Sequence, residues 1–184
     1  MSRSASENHC PGLGFWQSKI NDSQRGEHAM RELRSEFLMN FDATLNPAQN
    51  VGAGAMGLRS ISDVTGGTFE GPRIKGTILP SGGDWVIVNP ALGILNLDVR
   101  ASLKTDDGAV IFAQYKGRIA LAPEKFATLF DPSTGPLDPE DYYFRTAPTF
   151  ETGSEKYAWI NAIQAVGVGR ITEGGVSYEI HEIK

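Results

Sequence analysis

The sequence predicts an all-β fold, an antiparallel up-and-down barrel or a sandwich of eight or nine strands with little helix. Three observations carry that expectation. No segment sustains the 3.6-residue apolar period of a long amphipathic helix. Runs of alternating apolar and polar residues recur along the chain, as in Leu95, Leu97, Val99, Ala101 and Leu103 against Asn96, Asp98, Arg100 and Ser102. Turn chemistry separates the runs, with Asp107-Gly108 and Glu173-Gly174-Gly175 as hairpin signals. Closing such a meander into a barrel removes the exposed edges that an open sheet leaves.

Taken in order, residues 1–29 are polar, carry Pro11, Gly12, Gly14 and Gly26, and show no periodicity. They are expected to form an N-terminal extension, partly disordered or docked through Phe15 and Trp16, ahead of a single β-barrel domain over residues 30–184. Leu33 to Phe41 alternates and is the first expected strand. Asn46-Pro47 and the small-residue run Val51 to Gly57 read as a loop, and Leu58 to Val64 leads into a glycine-rich stretch. In that stretch, Thr65 to Trp85, six of 21 residues are glycine. It reads as a tight bend, a strand from Arg73 to Leu79 and a second bend, because paired glycines suit positive φ or close backbone approach. Trp85 to Asn89 is a strand stopped by Pro90, Ile94 to Lys104 a longer one, and Ala109 to Ala120 folds back on it across Thr105-Asp106-Asp107-Gly108. Glu124 to Phe130 permits one helical turn, followed by a loop with Pro132, Pro136 and Pro139 that is expected to cross a barrel mouth or sheet end. Tyr142 to Phe150, Tyr157 to Ile171 and Val176 to Ile183 complete the strands.

The 184 residues carry 22 acidic and 17 basic side chains, a net charge of -5, with no lysine or arginine run. A sequence-independent nucleic-acid surface is therefore not expected. No apolar run reaches the roughly 20 residues that span a bilayer, and the N-terminus lacks a secretory pattern, so a soluble protein without a membrane partner is expected. The single cysteine, Cys10, has no second thiol, which points to a reducing, cytoplasmic location. His9, Cys10 and His28 lack ligand spacing, and no pair of histidines sits at helical metal spacing. Gly-x-Ser-x-Gly, phosphate-loop and dinucleotide fingerprints are absent. Neither a cofactor nor a metal is expected.

Six motifs in order, Thr65 to Pro72, Leu79 to Trp85, Thr105 to Gly108, Tyr143 to Thr146, Phe150 to Gly153 and Tyr157 to Asn161, resemble domain-of-unknown-function family 3237, also called uncharacterised protein family 0311. The resemblance covers about residues 33 to 183. It implies a calycin-like, that is lipocalin-like, closed barrel and leaves the activity open.

In a small barrel alternate residues point inward. Asp98 and Arg100, Tyr143 and Arg145, and Trp159 and Asn161 each lie two apart and share a face. If the polar face of Ile94 to Lys104 lines the lumen, its apolar face lies outside and needs a cover, which favours a homodimer. The reverse assignment makes Asp98 and Arg100 a solvated ladder, and an ion-pair network bracing the wall accounts for Arg100, Arg145 and Glu151 equally well. The inward assignment yields a candidate site. Glu70 and Asp84, one at each bend, are the acid-base candidates, Arg100 and Arg145 the groups that polarise a carbonyl or enolate oxygen, and Tyr115 a further proton-transfer group. Trp85, Asp98, Tyr143, Trp159 and Asn161 are the candidate substrate contacts. A carboxylate in an apolar lumen has its pKa raised towards neutrality. The expected function is a cofactor-independent isomerase, cyclase or lyase acting by proton transfer on a small, flat carbonyl or aromatic molecule. The alternative is a non-catalytic, lipocalin-like binding protein for an apolar ligand.

Overall fold

The computed structural model describes residues 32–126, 128–130 and 137–184. The expected extension with Cys10, Phe15 and Trp16, and most of the proline-bearing loop with Pro132 and Pro136, lie outside the described residues. Nine strands run in order: β1 (Ser35–Leu45), β2 (Gln49–Gly54), β3 (Gly57–Glu70), β4 (Lys75–Asn89), β5 (Ile94–Thr105), β6 (Val110–Leu121), β7 (Tyr142–Glu151), β8 (Ala165–Thr172) and β9 (Gly175–Ile183). Every pairing is antiparallel, in the order β1-β9-β8-β7-β6-β5-β4-β3-β2, and β1 also pairs with β3. Eight strands thus close a barrel, with β2 added as a ninth strand on the first half of β3. The barrel alternative of the sequence reading is the one adopted.

The hairpin between β5 and β6 forms as the Asp-Gly signal requires. Thr105 accepts at its hydroxyl from the Ala109 amide (2.9 Å), its hydroxyl lies 2.6 Å from Asp107, and its carbonyl accepts from Gly108. The resulting register is unbroken from Ile94↔Ala120 to Lys104↔Val110.

Three expectations are corrected. The loop expected over Val51 to Gly57 overlaps β2, whose mostly exposed residues pair with one neighbour only and so carry no alternation. The two glycine-rich bends are bulges inside long, continuous strands. Register shifts between Asp63 and Thr68 of β3 and between Ile78 and Gly82 of β4, while the chain reverses at Gly71–Ile74. Gly67 (φ 137°) and Gly82 (φ 98°) take a backbone conformation closed to other residues, and a Cβ there would sit 2.0 Å from the Asp42 carbonyl and 2.1 Å from that of Arg100. Finally, Tyr157 to Ile171 is not one strand. Residues Glu155–Ala162 form a 3-10 segment that buries Tyr157 and Ile160, three apart as that helix eclipses them, and β8 begins only at Ala165.

The core is the lumen. Leu95, Leu97, Val99, Ala101 and Leu103 of β5 all point into it, and Asn96, Asp98, Arg100, Ser102 and Lys104 of the same strand point out. This reverses the inward-polar expectation, because burying Asp98 and Arg100 would cost desolvation that no lumen partner offsets. With it falls the ground on which a homodimer was expected. At the end that holds the β5–β6 turn, Phe69, Leu103, Ile111 and Ile160 are at most 2% exposed and fill the barrel. Among the described residues no helix is long and apolar enough to cross a membrane.

Candidate functional site

At the other end the barrel is hollow. A cavity of about 180 Å³ lies among aliphatic side chains of β1, β3, β4, β5 and β6, the rings of Phe41 and Phe144, and Leu129 from the loop after β6. Leu129 belongs to the helical turn expected over Glu124 to Phe130, where Thr128–Phe130 form a short 3-10 segment. Among the described residues four side chains bring polar atoms to that wall: Ser62, Asp84, Tyr115 and Tyr178.

Strand register gathers most of them into one row. Ser62 of β3 pairs with Asp84 of β4, Asp84 with Val99 of β5, and Val99 with Tyr115 of β6. Residues in register share a face, so the inward direction of Val99 fixes that of Asp84 and Tyr115. Tyr178 reaches the same space from β9. Its ring meets that of Tyr115 edge-on at 5.6 Å between centroids and is held by Phe144 (5.3 Å) and Phe41 (5.9 Å).

Asp84 owes its fixed position to a gap in the sheet. The β4–β5 ladder runs at Asp84↔Val99 and again at Ile87↔Asn96, and between these the Asp98 amide donates instead to Asp84 Oδ1 at 3.0 Å. Burial raises the Asp84 carboxyl to about 6. The Asp98 amide pulls against that rise, and the Asp98 charge adds to it. The Tyr115 and Tyr178 phenols are pushed well above their ordinary value, chiefly by burial, with the Asp84 charge adding to both. A hydrogen bond from the neighbouring Tyr178 hydroxyl moderates the rise for Tyr115. Both phenols therefore stay protonated and act as donors, so Tyr115, expected as a further proton-transfer group, is not poised as a base.

Of the residues singled out from the sequence, Asp84 and Tyr115 are brought together in the cavity. The others are not. Glu70 is exposed at the end of β3. Arg100 and Asp98 form an ion pair (2.9 Å) on the outer wall, where Lys116 also meets Asp98 (2.6 Å) and holds its carboxyl below the usual range. Trp85, next to Asp84 in an alternating strand, points outward under the Arg100 guanidinium at 5.3 Å. Tyr143 is 53% exposed beneath Arg145 (4.9 Å), and Arg145 donates to its neighbour's carbonyl at Phe144 (2.8 Å). Trp159 stacks under Arg73 (3.9 Å) at the filled end. Asn161 braces Thr152 by accepting from its amide (2.8 Å) and donating to its carbonyl (2.9 Å). Sequence reading missed Tyr178 and Ser62. The inward run Val176, Tyr178, Ile180 of the last strand is the signal that would have found the first.

Among the described residues no three His, Cys, Asp or Glu side chains gather to hold a metal ion.

Comparison with known proteins adds to this geometry. Residues 33–183 match the family described as "Protein of unknown function (DUF3237)". UPF0311 protein RPA1785 of Rhodopseudomonas palustris is 30% identical over 151 residues, 82% of this chain and 97% of that protein, and its crystal structure superposes with a TM-score of 0.77. A solved structure described as a beta-barrel like protein, from Acinetobacter baumannii, is 38% identical with a TM-score of 0.73, covering 86% of this chain and all of the other. A Penicillium herquei protein described as "Hydroalkoxylation enzyme phnH" is 28% identical over 132 residues, 72% of this chain and 71% of the relative.

Proposed function

The chain belongs to the DUF3237 family and is similar to a protein described as an enzyme, and we propose that the cavity is the active site of a proton-transfer enzyme with Asp84 as its acid-base group. The observation that carries this reading is a carboxylate held on a rigid strand, inside an apolar cavity, beside two protonated phenols. A passive binding pocket of lipocalin type needs no such carboxylate, and desolvating one costs stability.

The reaction class that fits is the addition of a hydroxyl across a carbon-carbon double bond within one small, flat molecule, a cyclisation. The Asp84 carboxylate accepts the hydroxyl proton, the oxygen bonds to one alkene carbon, and the protonated carboxyl returns its proton to the other. One O–H bond and one π bond are lost, one C–O and one C–H bond are formed, and no redox partner enters. Tyr115 donates to the oxygen while it carries negative charge, in the manner of an oxyanion hole, and Tyr178 supports it by donating to the Tyr115 hydroxyl. A pKa near the working pH suits a group that must both take and give the proton.

The test is conversion of 2-allylphenol to its dihydrobenzofuran, followed by proton NMR with wild-type protein and Asp84→Asn. Turnover by wild type with a loss of about a hundredfold or more in the variant supports the reading. Equal rates in the two proteins overturn Asp84 as the acid-base group.

A further inference from the structure

The barrel sorts charge by side of the wall. On β5 to β7 the cationic side chains Arg100, Lys104, Lys116, Arg118 and Arg145 all stand on the outer face, and among the described residues no lysine, arginine or histidine lines the cavity. A carboxylate or phosphate on a ligand would therefore meet Asp84 with no counter-ion, in a space whose described walls are, apart from the Ser62 hydroxyl and the two phenols, hydrocarbon and aromatic. Two like charges brought out of water without a partner is among the costliest arrangements in a protein.

The hydrogen-bonding groups narrow the ligand further. Ionised Asp84 only accepts, and the protonated Tyr115 hydroxyl, which itself accepts from Tyr178, has its hydrogen to donate. A ligand hydroxyl serves both, giving its hydrogen to the carboxylate and its lone pairs to a phenol. An ammonium group answers the carboxylate but offers no lone pair to the phenols. Size sets the third limit. An apolar cavity of about 150 Å³ holds a benzene ring, and this one measures about 180 Å³.

We infer that the site selects uncharged, single-ring hydroxyl compounds with a short side chain, and rejects both anionic acids and multi-ring molecules. This inference rests on the cavity being the ligand site, as the proposed function has it. It does not require that the bound molecule be turned over.

Isothermal titration at pH 7.5 with wild-type protein separates the two. The probes are 2-allylphenol, its methyl ether 2-allylanisole, 3-allyl-4-hydroxybenzoate, 3-allyl-4-hydroxybenzylamine and 2-allyl-1-naphthol. The expected order has 2-allylphenol tightest, the ether about tenfold weaker for the lost hydrogen bond, and the benzoate weaker by roughly a hundredfold or more. The benzylamine and the naphthol are each expected to bind at least about tenfold more weakly than 2-allylphenol. Tyr115→Phe, with its fold checked by melting, should weaken 2-allylphenol about tenfold. Equal or tighter binding of the benzoate, the amine or the naphthol overturns the inference, as does absence of 2-allylphenol binding at millimolar concentration. Selective binding without turnover would leave this inference standing and remove the enzymatic reading. Turnover of an anionic acid would do the reverse.

Discussion

The two ends of the barrel are built from the same strands to opposite effect. Towards the β5–β6 turn, Phe69, Leu103, Ile111 and Ile160 fill the lumen, and a 3-10 segment is tied across that end by the Tyr157 hydroxyl donating to Asp107 (3.0 Å). Towards the β1, β4 and β8 termini the lumen stays hollow and holds Asp84, Tyr115 and Tyr178. The outer wall is uniform in kind along both, with surface ion pairs such as Asp98 with Lys116 and Lys75 with Asp106. The polar lining of the cavity depends on which inward positions are left unfilled, while the charged residues that are most conspicuous in the sequence decorate the outside.

The comparison is tested most severely by removing packing from each end. Phe69→Ala in the filled end should destabilise by about 3–5 kcal/mol, since the surroundings are close-packed and cannot collapse into the void. Leu95→Ala, beside the existing cavity, should cost less, at the lower end of the roughly 2–5 kcal/mol range for such a change, because part of its surface already faces empty space. Urea melts of the two variants check the ranking, and equal losses would show that the hollow end is packed as tightly as the other.

Next in size is the catalytic effect at Asp84. A hundredfold fall in turnover for Asp84→Asn corresponds to about 2.7 kcal/mol of transition-state stabilisation. Stability should move the other way. Asp84 has its folded pKa raised from 3.8 to about 6, so between those values the folded state keeps a proton that the unfolded state releases. Stability from this group is therefore full below pH about 4, is lost as pH rises towards 6, and stays lost above. The integral amounts to roughly 2–3 kcal/mol at neutral pH. Asp98, Asp107 and Glu182 are shifted down and act in the opposite sense, so the difference between wild type and Asp84→Asn isolates the buried group. The variant should melt several degrees higher at pH 7 and level with wild type near pH 4. A lower melting point for the variant at pH 7 would mean that the carboxylate braces the barrel.

The strand pattern was legible because half-buried strands write their two faces into the sequence with period two. β5, β6, β7 and β9 show it, and the Asp-Gly turn between β5 and β6 sets their register. In the structure that register puts Tyr115 opposite Val99. Which face was inward was not legible from β5 alone, since a barrel with a polar lumen and one with an apolar lumen give the same alternation. The bulged strands were obscured for a local reason: the glycines of β3 and β4 admit positive φ without ending the strand, so Gly67 and Gly82 look like turn residues. Tyr157 and Trp159 imitated a strand because a short 3-10 segment buries every third residue and leaves too little chain to show its period. Asp84 stood out as a carboxylate at a glycine pair, but its partner Tyr178 lies 94 positions away on the opposite wall, joined to it only by barrel closure.

The smallest expected effect sharpens the contrast between wall and lumen. Arg145 and Arg118 are direct cross-strand partners on β7 and β6, both on the outer face, and like charges placed opposite each other repel. Arg118 is eased by Asn96, which it reaches at 3.3 Å, and Arg145 by the Phe144 carbonyl and the Tyr143 ring. Among the described residues neither has a carboxylate partner. Arg145→Ala should therefore leave stability within about 0.5 kcal/mol of wild type, with any gain largest at low salt, where screening is weakest. Turnover of 2-allylphenol should stay within about twofold, because the change is made on the far side of a closed wall from Asp84. Melting curves at low and high salt, with initial rates alongside, test both halves. A hundredfold loss of rate at unchanged stability would place a guanidinium in the reaction and return the active site to the polar face.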